Sequence, residues 1–282
     1  MEIRVANERV FIIKSKLSFD EAKERAHAKK VDAFGTINKF ASFLQKPKTD
    51  DFELLYQEFR YQPFWYIACR GLYVFDRKTT YRVPTRGSHV QSLSIDAKQY
   101  TAKDGAIELP AIEHCRQEEK EEVFVDGITS TQEPKLKVYI DFPATECPND
   151  VVTGRVPKEA IVVPPAARSS AIVRDTVGKM MHGIQADTIS EEHLEVENVD
   201  LYYHPIYAFR FRWKSKNKEA ILEFDGVTEE MRTGNRTFQE YMGKILDTQF
   251  LFDIGADAAG MVIPGGTIAV KLAKRYIDSR KK

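Results

Sequence analysis

Cysteine is scarce in this chain, with three among 282 residues. A small, odd number excludes a disulfide scaffold and fits a reducing compartment. An excess of charge of one sign is missing too: 42 Lys and Arg balance 42 Asp and Glu. That balance argues against a histone-like wrapper of nucleic acid and against a polyacidic tail protein. No run of about 18 apolar residues occurs. The nearest approach, IGADAAGMVIPGGTIAVKLA at 254–273, is broken by Asp257, Lys271 and Pro264-Gly265-Gly266. The opening residues MEIRVANER carry charges where a signal peptide needs an apolar core. The expected location is the cytoplasm. Also absent are G-x-S-x-G, the P-loop, G-x-G-x-x-G and H-E-x-x-H. Nothing argues for an enzyme, although active sites assembled from distant residues leave no motif.

What is present is an organised, mixed chain long enough for one large domain or two ordinary ones. Five of twelve prolines (Pro143, Pro148, Pro157, Pro164 and Pro165) crowd one stretch. Proline removes backbone donors, so 143–165 reads as a connector between an α+β domain at 1–142 and a second domain at 166–282. Before it, a strand at 10–13 precedes a helix opened by the capping box Ser18-Phe19-Asp20-Glu21. Short β runs follow at 64–75, 79–83, 90–95, 122–125 and 136–140. After it, 168–186 has helical spacing, with Ile172, Val173, Val177, Met180, Met181 and Ile184 in one stripe. Strands at 206–213 and 220–224 come next, then helices near 238–252 and 267–278. The fold class expected is α+β, with mainly antiparallel sheets in two related β units and a C-terminal helical element.

The relation between those units is an internal echo. Tyr61-Gln62-Pro63-Phe64-Trp65 matches Tyr203-His204-Pro205-Ile206-Tyr207, and Asp126-Gly127-Ile128-Thr129 matches Asp225-Gly226-Val227-Thr228. Proline starts a strand where no ladder donor is needed, and Asp-Gly is expected to supply the positive φ of a tight turn. Such pairs are common β punctuation. The alternative is a duplicated β unit, with an insertion between strand and turn in the first copy. The helix, two strands and Asp225-Gly226-Val227-Thr228 of the second copy, about 168–232, resemble the αββ unit of PepSY-type domains. Their hairpins often finish in an acidic turn followed by Thr-Gly-Glu, and Glu229 stands here where glycine is expected. The resemblance implies a small binding or regulatory module.

Four groups of residues are candidates for chemistry. In 206–213, Tyr207, Phe209, Phe211 and Trp213 alternate with Ala208, Arg210, Arg212 and Lys214, a period of two that puts aromatics and cations on opposite faces. The cationic face, extended by Lys216 and Lys218, is a candidate for nucleic acid or an anionic surface. Base stacking, however, needs aromatics on the same face as the cations. Core aromatics are the plainer reading, with the cations solvated or paired to Glu191, Glu192, Glu195 and Glu197. A metal site among His89, His114, Cys115, Cys147 and Cys69 lacks the paired spacing zinc uses, so no metal or other cofactor is expected. The acidic run Glu113, Glu118, Glu119, Glu121 and Glu122, beside Arg116 and Lys120, reads as a solvated turn or edge. In the tail, Gly255, Ala259 and Gly260 space small residues as a close helix contact requires, before the reversal at Pro264-Gly265-Gly266. An intramolecular hairpin comes first for this tail, self-association second and membrane-surface contact third.

The expectation is a non-catalytic module that binds a protein partner or itself through Gly255, Gly260, Pro264, Gly265 and Gly266. Anion binding through Arg210, Arg212, Lys214, Lys216 and Lys218 is the alternative, and an unrecognised hydrolase the third.

Overall fold

The computed structural model describes residues 2–34, 51–148, 152–181 and 184–233. Strands β1 (Glu2–Val5) and β2 (Glu8–Ile13) lead into helix α1 (Phe19–Lys29). Ser18 caps that helix as its capping box predicts: its side chain accepts from the Glu21 amide, and Glu21 accepts from the Ser18 amide at 2.9 Å. Strand β3 (Phe52–Pro84) is followed by the hairpin β4 (Ser92–Ile95) and β5 (Lys98–Thr101), then β6 (Ala106–Asp126). A 3-10 helix (Pro134–Asp141), β7 (Ala144–Cys147), a helical turn (Val152–Arg155) and β8 (Ile161–Val162) precede helix α2 (Ser169–Met180). Strands β9 (Thr188–Trp213), β10 (Lys218–Asp225) and β11 (Met231–Thr233) complete the described chain.

The class is mixed α and β, as expected, and the large sheet is mixed rather than purely antiparallel. β1 and β2 both run parallel to β9, and β8 runs parallel to β3. β2–β7, β4–β5, β9–β10 and β10–β11 are antiparallel, and β3 also pairs with β6 and β9. Strands expected at 64–75 and 79–83 are parts of the one long β3. The strand expected at 136–140 is a 3-10 helix instead, started by Pro134, whose ring fixes a helical φ and offers no ladder donor.

Contacts group the residues into two compact units: Met1–Ala6, Ala68–Glu122 and Val173–Asn198 in one, and Asn7–Ile67, Val123–Ile172 and Val199–Lys282 in the other. Each draws on chain from both sides of 143–165. The proline-rich stretch itself holds β7 and β8, both laddered to β2 and β3 respectively. Proline is tolerated there because these strands are four and two residues long and the prolines fall outside them.

The second unit has two packed faces. On one, Phe19 of α1 lies against Phe59, Tyr207 and Phe209, with ring centroids 6.3, 5.7 and 5.6 Å away. His27 meets Phe211 edge-on. Tyr207, Phe209, Phe211 and Trp213 are all buried, as their alternation leads one to expect. On the other, Ile13, Phe64, Phe124, Leu136, Tyr139 and Val227 form a cluster around the 3-10 helix.

In the first unit, β1 lies on β9 with Ile3 opposite Leu194 and Val5 opposite Val196. Leu194 and Val196 are buried, whereas Ile3 and Val5 are exposed. Tyr73 of β3 donates to the Met180 carbonyl at the end of α2 at 3.0 Å.

Candidate functional site

The densest collection of ionisable groups in the second unit lies around the Asp225-Gly226-Val227-Thr228 turn. One carboxylate oxygen of Asp225 accepts the amides of Val227 and Thr228 at 2.8 and 2.9 Å. Its other oxygen accepts the Tyr139 hydroxyl, delivered by the 3-10 helix. The same oxygen is 3.6 Å from His204 Nδ1 and 4.0 Å from an Arg232 guanidinium nitrogen. Period-two geometry explains the convergence: Tyr202 and His204 share a face of β9, Glu223 and Asp225 a face of β10. Asp225 is 1 % exposed, and His204 and Tyr139 each 2 %. Burial pushes the Asp225 carboxyl up, but His204, the Tyr139 hydroxyl and the Thr228 amide outweigh it and hold the group well below the usual carboxylate range. Burial, then the Asp225 charge, drives the Tyr139 hydroxyl the opposite way, far above a free phenol.

His204 is the unusual member. Its ring packs on Tyr139, centroids 4.4 Å apart, and edge-on to Phe64. Neither ring nitrogen has a hydrogen-bond partner among the described residues. Beside this centre, Arg60 is wholly buried and donates to Glu58 at 2.8 Å and to Glu223. Glu58 also accepts the Tyr56 hydroxyl. Glu58, Arg60, Tyr139, His204, Glu223 and Asp225 are of catalytic type, yet they are closed from water. General acid–base work needs a group within reach of a substrate proton. Their arrangement instead ties three strands, the turn and the 3-10 helix together.

The Asp-Gly turns require glycine for reasons of space and not for the expected positive φ, which falls on Ser130 and Glu229 instead. A Cβ on Gly127 meets the Pro63 carbonyl oxygen at 2.6 Å, and one on Gly226 meets Ser15 Oγ at 2.8 Å and the Pro205 carbonyl oxygen at 3.0 Å. Gly127→Ala forces the backbone of the turn off Pro63 and is expected to destabilise the protein by about 1–3 kcal/mol, the range for overpacking. Urea denaturation checks it; an unchanged midpoint sinks this account of the turn.

The accessible groups lie elsewhere. In the first unit, an open groove of ≈ 390 Å³ is lined by Glu2, Arg4, Arg70, Leu72, His193, Leu194 and Glu195. Within it, Arg4 pairs with Glu2 at 2.8 Å, and His193 Nδ1 lies 3.5 Å from Glu2. The Arg4 hydrogen bond is the main reason the Glu2 carboxyl sits below its ordinary range. Arg70 and Arg116 both reach Glu118, and Arg77 and Tyr81 reach Glu113. The acidic run therefore lies on β6, an edge strand paired with β3 rather than a turn, with Glu113 and Glu118 laced to basic neighbours.

No family model, curated protein or solved structure matches this chain.

The candidates read from sequence fare as follows. Arg210 and Arg212 do lie opposite the aromatic face, and both reach Glu219 across the β9–β10 hairpin. Lys216 stacks over the Trp213 ring at 4.0 Å, while Lys214 and Lys218 are exposed. The three cysteines are all free. Cys69 and Cys147 are buried in different units, and His114 pairs with Asp76 at 2.7 Å. No group of three metal-ligating side chains converges among the described residues. No helix among them is long and apolar enough to cross a membrane. Gly255, Gly260, Pro264, Gly265 and Gly266 lie outside the described residues. Sequence reasoning missed Glu58, Arg60, Tyr139 and Glu223 altogether; it named His204 and Asp225 only as members of the echo, which was the one available signal.

Proposed function

We propose that the chain is a non-catalytic binding module, acting in the cytoplasm, that engages a protein partner or a second copy of itself. One observation carries this reading. The coupled His204–Asp225–Tyr139 centre is sealed in the second unit, whereas, among the described residues, the exposed large apolar side chains fall mostly in the first. Among the described residues, Ile3, Val5, Tyr81, Leu93, Ile95, Ile112, Met181 and Ile189 belong to the first unit and Val138 to the second. Exposed apolar side chains concentrated in one region are a mark of contact surfaces. The PepSY-like order of helix, hairpin and acidic turn points the same way, towards binding.

Native mass spectrometry of the full chain tests the proposal, beside the double variant Ile3→Glu/Val5→Glu and a version ending at Phe252. The expected result is an oligomer that weakens when charge enters β1 or when the tail is removed. A monomer carrying a metal ion or small molecule overturns it.

Anion binding by Arg210, Arg212, Lys214, Lys216 and Lys218 is the second reading, favoured by the exposure of Lys214 and Lys218. Glu219 takes up two of the five cations, which leaves this face a weaker electrostatic footprint. If it binds nucleic acid, affinity for a single-stranded oligonucleotide falls steeply with added salt. The triple change Arg210→Glu/Arg212→Glu/Lys214→Glu then abolishes binding.

A further inference from the structure

We infer that the chain is a fused dimer: two copies of one strand–helix–hairpin unit that have exchanged their leading arms, so that each hairpin is a docking surface for the strand and helix of the other copy. This goes beyond the binding role proposed above and does not depend on it.

The hairpin ends correspond bond for bond. Asp126 accepts the amides of Ile128 and Thr129, both at 2.8 Å, as Asp225 accepts those of Val227 and Thr228. The Gly127 amide donates to Pro63 at 2.9 Å and the Gly226 amide to Pro205 at 2.8 Å. Ser130 and Glu229, four residues after each aspartate, both sit at positive φ (61° and 62°). The bridge Val125–Gln132 is matched by Phe224–Met231.

The arms correspond as well, and they cross. Ile12 of β2 is the parallel partner of Tyr203, whereas Val162 of β8 is the parallel partner of Tyr61. Each arm then runs the same length to its helix. On the way the Lys16 amide donates to the Gly226 carbonyl, and the Ala166 amide to the Gly127 carbonyl. The Tyr207 hydroxyl reaches the Leu17 carbonyl at 2.7 Å; the Trp65 ring nitrogen, at the equivalent place, reaches the Ala167 carbonyl at 2.9 Å. Common β punctuation accounts for a repeated Asp-Gly turn, but not for a shared register, a shared arm length and a shared anchor. Exchange of identical elements is a low-cost route to dimers, and here the exchange is covalently closed within one chain.

The test is made on the full chain with a protease site inserted between Lys158 and Glu159, both exposed. Cysteine pairs are placed after Cys69, Cys115 and Cys147 are changed to alanine, since Cys147 lies opposite Val10. Exchange puts Val10 beside Leu201; an arm folded on its own copy puts Val10 beside Phe59. After cleavage, Val10→Cys/Leu201→Cys should join the two fragments on a non-reducing gel, whereas Val10→Cys/Phe59→Cys, with both thiols on the N-terminal fragment, should leave both free to react with a maleimide. Fragments that stay separate in the first variant, together with thiols closed into an internal disulfide in the second, overturn the proposal. The cleaved but otherwise unaltered chain gives a second reading that needs no cysteine changes. Its fragments must co-elute one to one in native buffer, and their separation into two soluble pieces also overturns it.

Discussion

Replacing Asp225 by asparagine should cost about 2–4 kcal/mol at neutral pH and flatten the acid limb of the stability curve. The carboxylate accepts two amides and the Tyr139 hydroxyl while almost wholly buried. Hydrogen bonds to a charged group contribute about 1.5–3 kcal/mol each, and buried partners left unsatisfied cost as much again. Asparagine keeps the shape and one acceptor, which moderates the loss. The pH dependence follows from the lowered pKa of this carboxyl. A group whose folded pKa lies below its unfolded value of about 3.9 contributes its full stabilisation above that value. The contribution then disappears as pH falls towards the folded pKa. Urea denaturation from pH 7 down to pH 3 reads both effects. The unaltered protein should lose stability below about pH 4 more steeply than Asp225→Asn, since 3.9 marks where the unfolded chain begins to bind the proton. Parallel curves would mean that His204, Tyr139 and the turn amides do not act on this carboxylate.

Arg60→Met should be the more damaging single change, at about 3–5 kcal/mol, the usual result of removing one partner from a buried ion pair. Methionine follows the aliphatic stem but leaves Glu58 and Glu223 without the cation that lies between them. Desolvating a charge is what makes the loss large, so removing the charges should remove most of it. The triple variant Arg60→Met/Glu58→Gln/Glu223→Gln is expected to recover more than half of the lost stability, as coupled neighbours are strongly non-additive. Thermal or urea unfolding of the two variants decides the matter. A triple variant as unstable as the single one would assign the role of Arg60 to packing rather than to charge.

Both expectations concern residues whose importance local sequence does not display. Arg60 follows Glu58 in a run of aromatic and polar residues, and nothing local says that its guanidinium is sealed from water. Its second partner, Glu223, is 163 positions away. Tyr139 was read as part of a strand, because Leu136–Ile140 alternates acceptably. The 3-10 helix there is set by Pro134 at its start and by the Asp225 carboxylate, which receives the Tyr139 hydroxyl.

Sequence alone determined the elements whose causes are local. Ser18 and Glu21 cap α1 because the capping box closes within four residues. The aromatic face of β9 is buried because period two puts Tyr207, Phe209, Phe211 and Trp213 on one side of any strand. Asp126-Gly127 and Asp225-Gly226 turn the chain because an aspartate accepts amides two and three residues on. Tertiary structure decided which strands meet. Periodicity tells a strand which face is apolar, but a parallel partner such as β9 for β2 is chosen by how loops and turns from distant parts of the chain close together. The burial of Arg60, His204 and Asp225 was decided at the same level. A charge or an imidazole is admitted to a core only once the groups around it have been assembled from distant strands.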